Sequence, residues 1–266
     1  MEFLNLVLLD QIRDILEFPS FFFEVVFGGL MSGVMYSLVA LGFVLIFKAS
    51  GVFNFSQGVF ALFAALTLVG LMTGTMPFSL EKSLPALPVW LAIAVTFGVM
   101  IVLAILVERI VLRPLVNQDQ IIMFMSTIGL AFVLEGLGDT MWGSGVKALD
   151  VGIPSGNFMV GEIQIQVFDL WAAGIAAFLV VVLAVFFQKT RTGRALRAVA
   201  DDHQAALSVG IPLRNIWVVV WSAAGLVALV AGIMWGSKSG VQFSLSLIAL
   251  KALPVLILGG FTSVPG

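Results

Sequence analysis

The chain contains 266 residues, of which 61% are hydrophobic and only 11% are charged, and its formal net charge is −2. Soluble globular domains carry about 45–50% apolar and about 25% charged residues, so this composition excludes a soluble domain and predicts an integral membrane protein. The acidic balance argues against a nucleic-acid partner, which would require a basic patch, and the lack of cysteine excludes disulfides and a cysteine nucleophile.

The chain begins with MEFLNLVLLDQIRDILEF, residues 1–18, in which apolar side chains recur at helical spacing. This segment is acidic rather than basic, unlike a cleavable signal peptide. It predicts a short amphipathic helix that lies along the membrane surface. Residues 19–266 are predicted to form a single transmembrane domain.

Long apolar stretches fill the rest of the chain. A helix needs about 20 apolar residues to cross about 30 Å of hydrocarbon. The candidate membrane segments are 21–47, 54–74, 86–108, 121–142, 167–188, 214–235 and a less regular one at 243–260. Unbroken apolar runs are typical of helices rather than barrel strands. The predicted fold is therefore an all-α polytopic bundle of about seven membrane segments, one or two of them discontinuous.

The loops between these segments differ in charge. Basic side chains concentrate in 48–53, 109–120 and 189–213, which the positive-inside rule assigns to the cytoplasm. Loop 143–166 has no basic excess and is predicted to be external, with a β-hairpin where apolar and polar residues alternate. Strict alternation then puts the N-terminus outside.

Two ridges of small residues are spaced by four along predicted helices: Gly29, Gly33 and Ser37, then Ala224, Ala228, Gly232 and Gly236. Such ridges let helices approach closely in lipid. We interpret both as packing faces within this chain.

Motifs for catalysis and for metal binding are lacking. The chain has no phosphate-binding loop and no cluster of His, Asp and Glu with metal-ligand spacing. Its single histidine, His203, falls in a predicted cytoplasmic loop, away from any serine at membrane depth. We therefore expect the chain to be neither an enzyme nor a metal or cofactor binder.

Polar groups at membrane depth are costly, about 2.5–3.5 kcal/mol for a charge at a helix centre, so they mark possible transport pathways. Interrupted helices are a second indicator of a pathway. These criteria select as predicted pathway residues Ser37, Asn54, Ser56, Gln57, Glu135, Lys251, Gly259 and Gly260. The alternative for Glu135, for Asp139 on the same helix face, and for Lys251 is that they reach the membrane interface.

The most charged run, KTRTGRALRAVADDHQAALSVGI, occupies residues 189–211. From Thr192 it fits a helix that ends at Gly210, with Arg197 and Asp201 spaced to pair. Its basic residues follow from the positive-inside rule. The small apolar residues of QAALSVG do not, and they require a partner surface.

Four stretches occur together in this chain: GLMSGVMYSLVALGFVLIFKASGVFNFSQG (29–58), ERIVLRPL (108–115), TGRALRAVADDHQAALSVGI (192–211) and LKALPVLILGGFTSVPG (250–266). In these stretches, and over essentially its whole length, the chain resembles the LivH-like permease subunits of ABC importers for branched-chain amino acids. The resemblance implies the importer permease fold and a transmembrane subunit that forms half of the substrate pathway by alternating access. Relatives carry branched-chain and other amino acids, amides, urea or aromatic acids.

The resemblance also implies partners: a second homologous permease, two cytoplasmic ATP-binding subunits and an external substrate-binding protein. It implies that this chain is integral to the bacterial cytoplasmic membrane. ATP and Mg would bind the partner subunits rather than this chain. ABC permeases dock on the ATPase through E-A-A-x-x-x-G, and here Gln204 stands in place of Glu. The implied coupling residues are Arg194, Arg197, Asp201, Asp202, Gln204, Ala205, Ala206 and Gly210.

Two further expectations complete the sequence analysis. The family continues beyond the Gly-Gly and Pro-Gly motif, whereas this chain ends at Gly266, so its C-terminal family region is expected to be missing. The rival function is an ion-coupled transporter or channel that uses Glu135, Asp139 and Lys251 as a relay. A membrane-embedded enzyme is a weaker rival, because no nucleophile–base pair is present.

Overall fold

The computed structural model describes residues 19–78, 84–115, 118–201 and 213–261. The amphipathic helix predicted at 1–18 lies outside the described residues. Within them the chain folds mainly into helices joined by short connections and one β-hairpin.

The helices follow the predicted segments in order. They are α1 (Pro19–Ser50), α2 (Gln57–Thr73), α3 (Val89–Leu106), α4 (Gln120–Trp142), α5 (Val167–Lys189), α6 (Arg191–Asp201), α7 (Leu213–Ser239) and α8 (Ile248–Gly259). A π-helical turn at Val107–Leu112 and a 3₁₀ turn at Arg113–Leu115 extend α3. Another 3₁₀ helix, Phe243–Leu247, precedes α8. The predicted bundle of seven membrane segments is thus confirmed.

Membrane-spanning length is reached by five helices among the described residues, while α2 and the 3₁₀–α8 segment are shorter apolar helices. At 1.5 Å per residue, the 17 residues of α2 extend only about 25 Å, less than the hydrocarbon thickness. Helix α2 ends at Gly74, whose left-handed backbone (φ 70°) lets its N–H bond to the carbonyl of Gly70. The sequence predicted an interruption at Pro254 and Gly259-Gly260; α8 continues through Pro254 and ends at Gly259.

The bundle is arranged around α1 and α7. In the most apolar 18-residue stretch of each helix, the buried share of residues is 56% for α1 and 67% for α7. The same share is 22–28% for α3, α4 and α5. Helix α7 packs on α1, α2 and α3, and α1 also packs on α5 and α8. The exposed apolar faces of α3, α4 and α5 suit contact with lipid or with another membrane subunit.

The two small-residue ridges have different environments. On α7, a methyl group added to Gly232 would overlap the carbonyl oxygen of Ala61, and one added to Gly236 would come within 2.8 Å of Val241. This ridge is a packing face within the chain, as predicted. At Gly29 and Gly33 the same methyl would meet no described atom within 4 Å, so the intrachain interpretation of the α1 ridge stays a prediction.

The bundle has two chemically distinct ends. We call the basic end the one where Lys48 lies in the last turn of α1 and Lys189 ends α5, and the hairpin end the opposite one. There β1 (Asn157–Val160) and β2 (Ile163–Gln166) pair antiparallel, which confirms the predicted hairpin. The assignment of the basic end to the cytoplasm, with the N-terminus outside, remains a prediction.

Loop 143–166 is also tied to the segment that precedes α8. The backbones of Lys147 and Val241 exchange two hydrogen bonds, with N to O distances of 3.0 Å and 2.8 Å. This bridge fixes the point at which the chain turns back into the bundle after α7.

Candidate functional site

Two segments that are not α-helical enter the bundle from opposite ends, and the second packs against the start of α2, which directly follows the first. Residues 51–56 connect the basic end of α1 to the start of α2, and residues 240–247 descend from the hairpin end to α8. The start of α2 and the second segment approach so closely that a methyl group on Gly58 would overlap the carbonyl oxygen of Ser246 and lie 2.8 Å from the Ala249 side chain. Only glycine allows α2 to begin against this backbone.

The polar residues predicted on the first of these segments are brought together and fully buried. Asn54 and Ser56 are 0% exposed and Gln57 is 1% exposed. The Asn54 Oδ1 atom accepts hydrogen bonds from the Ser56 hydroxyl (2.6 Å) and the Ser56 N–H (3.2 Å). The Gln57 Nε2 atom donates to the Ala224 carbonyl of α7 at 3.3 Å. We call these three residues the 54–57 cluster.

Helices α1 and α4 close the cluster from two other sides. Gly42 of α1 leaves room for the Gln57 carboxamide, which an added methyl group would overlap. Thr127 of α4 accepts a hydrogen bond from the Phe55 N–H at 3.0 Å through its hydroxyl oxygen. The non-helical backbone is therefore satisfied by protein groups, the condition under which such backbone is tolerated in a membrane.

The cluster lies well inside the bundle. Ala224 is eleven residues along α7 from its start at the basic end, and Gly42 is eight residues before the end of α1. At 1.5 Å per residue these separations correspond to about 16 Å and about 12 Å, close to half of a hydrocarbon layer of about 30 Å. Transporters of several folds place their substrate site at this depth.

Two atoms of the cluster have no hydrogen-bond partner among the described protein atoms. They are Asn54 Nδ2, a donor, and Gln57 Oε1, an acceptor. A buried polar atom without a partner costs about 1–3 kcal/mol. The cluster can therefore offer both a donor and an acceptor to a polar guest.

The remaining predicted pathway residues lie elsewhere. Ser37 is half-buried, and its hydroxyl donates to the Val34 carbonyl of its own helix at 2.6 Å. Glu135 is half-buried on α4, and Asp139 on the same helix is exposed. Gly259 ends α8, and Gly260 follows it with a positive φ of 87°. Their role in a pathway stays a prediction.

Lys251 is exposed on the surface of α8, although it lies far from both ends of the bundle. The ring of Phe261 is 5.2 Å from that of Phe47, so Phe261 lies near the basic end of α1. Lys251 comes ten residues before Phe261 in the chain. Ten helical residues span about 15 Å, which puts Lys251 near the middle of the hydrocarbon layer. An exposed ammonium at that depth is unfavourable against lipid.

The charged run at 189–211 begins as the predicted helix, here α6. Its apolar side chains Leu196 and Val199 are buried, at 1% and 0% exposure. Arg194 donates to the Lys189 carbonyl at 3.3 Å and Arg197 donates to the Gln188 carbonyl at 3.5 Å. Both arginines thus bind the carbonyl end of α5, where the helix dipole favours cations.

Most of the other predicted coupling residues lie outside the described part of the chain. Helix α6 is described as far as Asp201, of which only the backbone is described. Asp202, Gln204, Ala205, Ala206 and Gly210 lie outside the described residues, as does the predicted end of the helix.

Sequence reasoning missed an ion pair at the hairpin end. Lys238, near the end of α7, donates to Asp169 Oδ1 in the first turn of α5 at 2.7 Å. The side chains are 28% and 9% exposed, so the pair is largely buried. Because successive spans cross the membrane in alternate directions, the end of α7 and the start of α5 lie at the same end of the bundle. That signal in the sequence could have suggested the pair.

Sequence reasoning also missed a buried carboxylate and several buried indoles. Glu108 is 4% exposed within the π-helical turn that follows α3, the kind of distortion often found at functional sites. On α7 the indole nitrogens of Trp217, Trp221 and Trp235 are buried without partners among the described residues.

Lys147, in the loop at the hairpin end, has a lowered pKa because burial disfavours its charged form, an effect that nearby Asp139 partly opposes. Its ammonium donates to the carbonyls of Gly143 (2.9 Å) and Gly145 (3.0 Å) just beyond α4. Lys147 therefore fixes the chain where it leaves α4.

Comparison with known proteins gives a consistent result. The model of the family described as "Branched-chain amino acid transport system / permease component" matches residues 25–266. The high-affinity branched-chain amino acid transport system permease protein LivH of Escherichia coli K12 is 28% identical over 92% of this chain and 81% of its own length. The corresponding protein BraD of Pseudomonas aeruginosa is 29% identical over 90% of this chain and 79% of its own.

An archaeal relative from Methanocaldococcus jannaschii, a probable branched-chain amino acid transport permease protein LivH, is 26% identical over 90% of this chain and 74% of its own length. No solved structure matches the chain.

Proposed function

Because this chain belongs to the family of permease components of branched-chain amino acid transport systems, we propose that it moves branched-chain amino acids past the 54–57 cluster. The chain is a membrane-embedded, non-catalytic subunit of an ABC importer. ATP-binding subunits and a substrate-binding protein are the partners of such a permease. We propose that ATP and Mg bind the ATP-binding subunits, and that the N-terminus faces outward in the bacterial cytoplasmic membrane.

The packing of segment 240–247 against the start of α2, directly after segment 51–56, carries this proposal. Segment 51–56 leads to the cluster from the basic end, and 240–247 leads to it from the hairpin end. A site reached by irregular backbone from both sides can be opened to one side at a time by small movements of either segment. This arrangement is the one expected for alternating access.

The chemistry of the cluster suits an amino acid. Asn54 Nδ2 can donate to a carboxylate, and Gln57 Oε1 can accept from an ammonium group. Both groups are neutral, so the complex with a zwitterion would carry no net charge. The apolar residues around the cluster would accept a branched aliphatic side chain.

The exposed face of α8 supports a second permease subunit. Lys251 is exposed near the middle of the membrane, and Ile257 and Leu258 on the same helix are 63% and 89% exposed. An ammonium facing lipid there would cost about 2.5–3.5 kcal/mol. A neighbouring subunit, with a hydrated pathway between the two, removes that cost. We therefore propose that the pathway lies between this chain and a homologous permease.

Gln57→Leu is expected to lower uptake at least about tenfold, because it removes the donor to Ala224 and the unpaired acceptor. Initial rates of leucine uptake into proteoliposomes that contain the complete importer and internal ATP provide the measurement. Thr67→Val is the matched control, since the buried Thr67 hydroxyl only donates to the Phe63 carbonyl of its own helix. Full activity of the Gln57 variant would contradict the proposal, and uptake that continues without ATP would favour the ion-coupled alternative.

We further propose that 202–210 couples the chain to an ATP-binding subunit. Ala205→Arg combined with Ala206→Arg should release the ATP-binding subunits, because small side chains are needed where helices pack closely. Co-purification with an affinity-tagged permease measures the loss. Ser155→Arg, an exposed change in the loop at the hairpin end, is the control. Normal co-purification of the double variant would show that the docking surface lies elsewhere.

A further inference from the structure

A polar cavity of about 410 Å³ lies at the hairpin end of the bundle and shares no lining residue with the 54–57 cluster. Helix α1, the β-hairpin and the start of α5 enclose it. Its polar lining comprises Glu24, Asn157, Gln164, Gln166 and Asp169. Small-molecule sites have volumes of about 300–1,000 Å³, so the cavity can hold a small ligand.

The length of α1 indicates that the cavity lies toward the outer edge of the hydrocarbon layer. Helix α1 has 32 residues, which corresponds to about 48 Å against about 30 Å of hydrocarbon. Glu24 is in its second turn, within the excess length. The hairpin beside it is mostly exposed. A solute or a lipid headgroup can therefore reach this cavity without crossing the apolar core.

The lining is anionic and is held in place. Asp169 is already neutralised by Lys238 at 2.7 Å. Glu24 is half-buried, and its Oε2 atom accepts a hydrogen bond from the Gln164 N–H of the hairpin at 3.4 Å. No ion pair joins Glu24 to any described cation. Among the described residues the three charged groups thus leave a net charge of −1 at the cavity.

We propose that this cavity binds a primary ammonium group. Glu24 supplies the countercharge, and the side-chain oxygens of Asn157, Gln164 and Gln166 supply further acceptors for the N–H donors of the ammonium. The Asp169–Lys238 pair shows that the same wall accommodates an ammonium beside a carboxylate. An amino acid and an aminophospholipid headgroup both carry this group. The proposal does not depend on the transport pathway.

The test uses the full chain in phosphatidylcholine nanodiscs, whose lipid has no primary amine. Ethanolamine is titrated by calorimetry, with ethylene glycol as the neutral probe of similar size and empty nanodiscs as the blank. Saturable binding of ethanolamine but not of ethylene glycol is expected. Glu24→Gln should weaken that binding at least about tenfold, because the charge is lost and the shape is kept. Glu162→Gln, at an exposed acidic residue of the hairpin turn outside the cavity lining, should not change it.

Two further arms identify the source of the ammonium group. Competition by L-leucine in phosphatidylcholine nanodiscs would indicate an amino acid, and loss of ethanolamine binding in phosphatidylethanolamine nanodiscs would indicate the lipid headgroup. Gln166→Leu is the substitute variant if Glu24→Gln fails to fold. It should also weaken ethanolamine binding, by a smaller factor. Equal binding of ethanolamine and ethylene glycol, or equal affinity of the Glu24→Gln and wild-type proteins, would overturn the proposal.

Discussion

Gly58→Ala is expected to abolish most uptake, because the added methyl group would overlap the Ser246 carbonyl oxygen and crowd the Ala249 side chain. Overpacking typically costs about 1–3 kcal/mol and occasionally more. Here the obstructing atom is backbone, which cannot rotate away, so we expect the upper part of that range. The start of α2 and segment 240–247 would separate, and uptake should fall to less than about a tenth of the wild-type rate.

The measurement combines leucine uptake with the apparent melting temperature of the purified protein in detergent. Gly98→Ala is the matched control, since it adds the same methyl group within α3, where no described atom lies within 4 Å. It should leave uptake unchanged and should not lower stability. Wild-type uptake by the Gly58 variant would show that the contact between the two segments is not needed.

Lys238→Met is expected to destabilise the protein by about 3 kcal/mol, at the lower end of the range for breaking a buried ion pair. The variant leaves the Asp169 carboxylate, only 9% exposed, without its cation. The partial exposure of Lys238, at 28%, lets solvent enter and moderates the loss. A lower apparent melting temperature in detergent is the expected observation.

A second substitution shows whether the destabilisation comes from the lost ion pair or from the lost packing of the lysine side chain. Lys238→Met combined with Asp169→Leu removes both charges and keeps apolar volume, so it should regain most of the lost stability. If the double variant is less stable than Lys238→Met alone, the carboxylate has a structural role of its own. Glu24→Gln, which leaves the pair intact, should not lower the melting temperature to the same extent.

Some features of this protein follow from the sequence alone. The seven membrane segments, the β-hairpin after α4 and the helix that starts the charged run were predicted and are present. Each depends on interactions between residues close together in the chain. In lipid a helix satisfies its own backbone, so the length of an apolar run is enough to predict it. The 54–57 cluster was also predicted, because Asn54, Ser56 and Gln57 are polar residues beside an apolar stretch.

The surroundings of these residues required the tertiary structure. Gln57 binds Ala224, and Asp169 binds Lys238, although long stretches of chain separate the partners. Such contacts depend on the order in which helices pack, and apolar periodicity does not specify that order. For the same reason two similar small-residue ridges were given one interpretation, yet only the ridge on α7 packs within the described chain.

Thus the sequence by itself determined how many times the chain enters the membrane, which loops are basic and which family it joins. Only the tertiary structure decided that the start of α2 packs against segment 240–247, that Gly58 is the residue that lets them approach, and that Glu24 faces a cavity beside the hairpin. The physical reason is that hydrophobicity and backbone hydrogen bonding act along the chain. Close packing and charge pairing act between segments brought together by the fold.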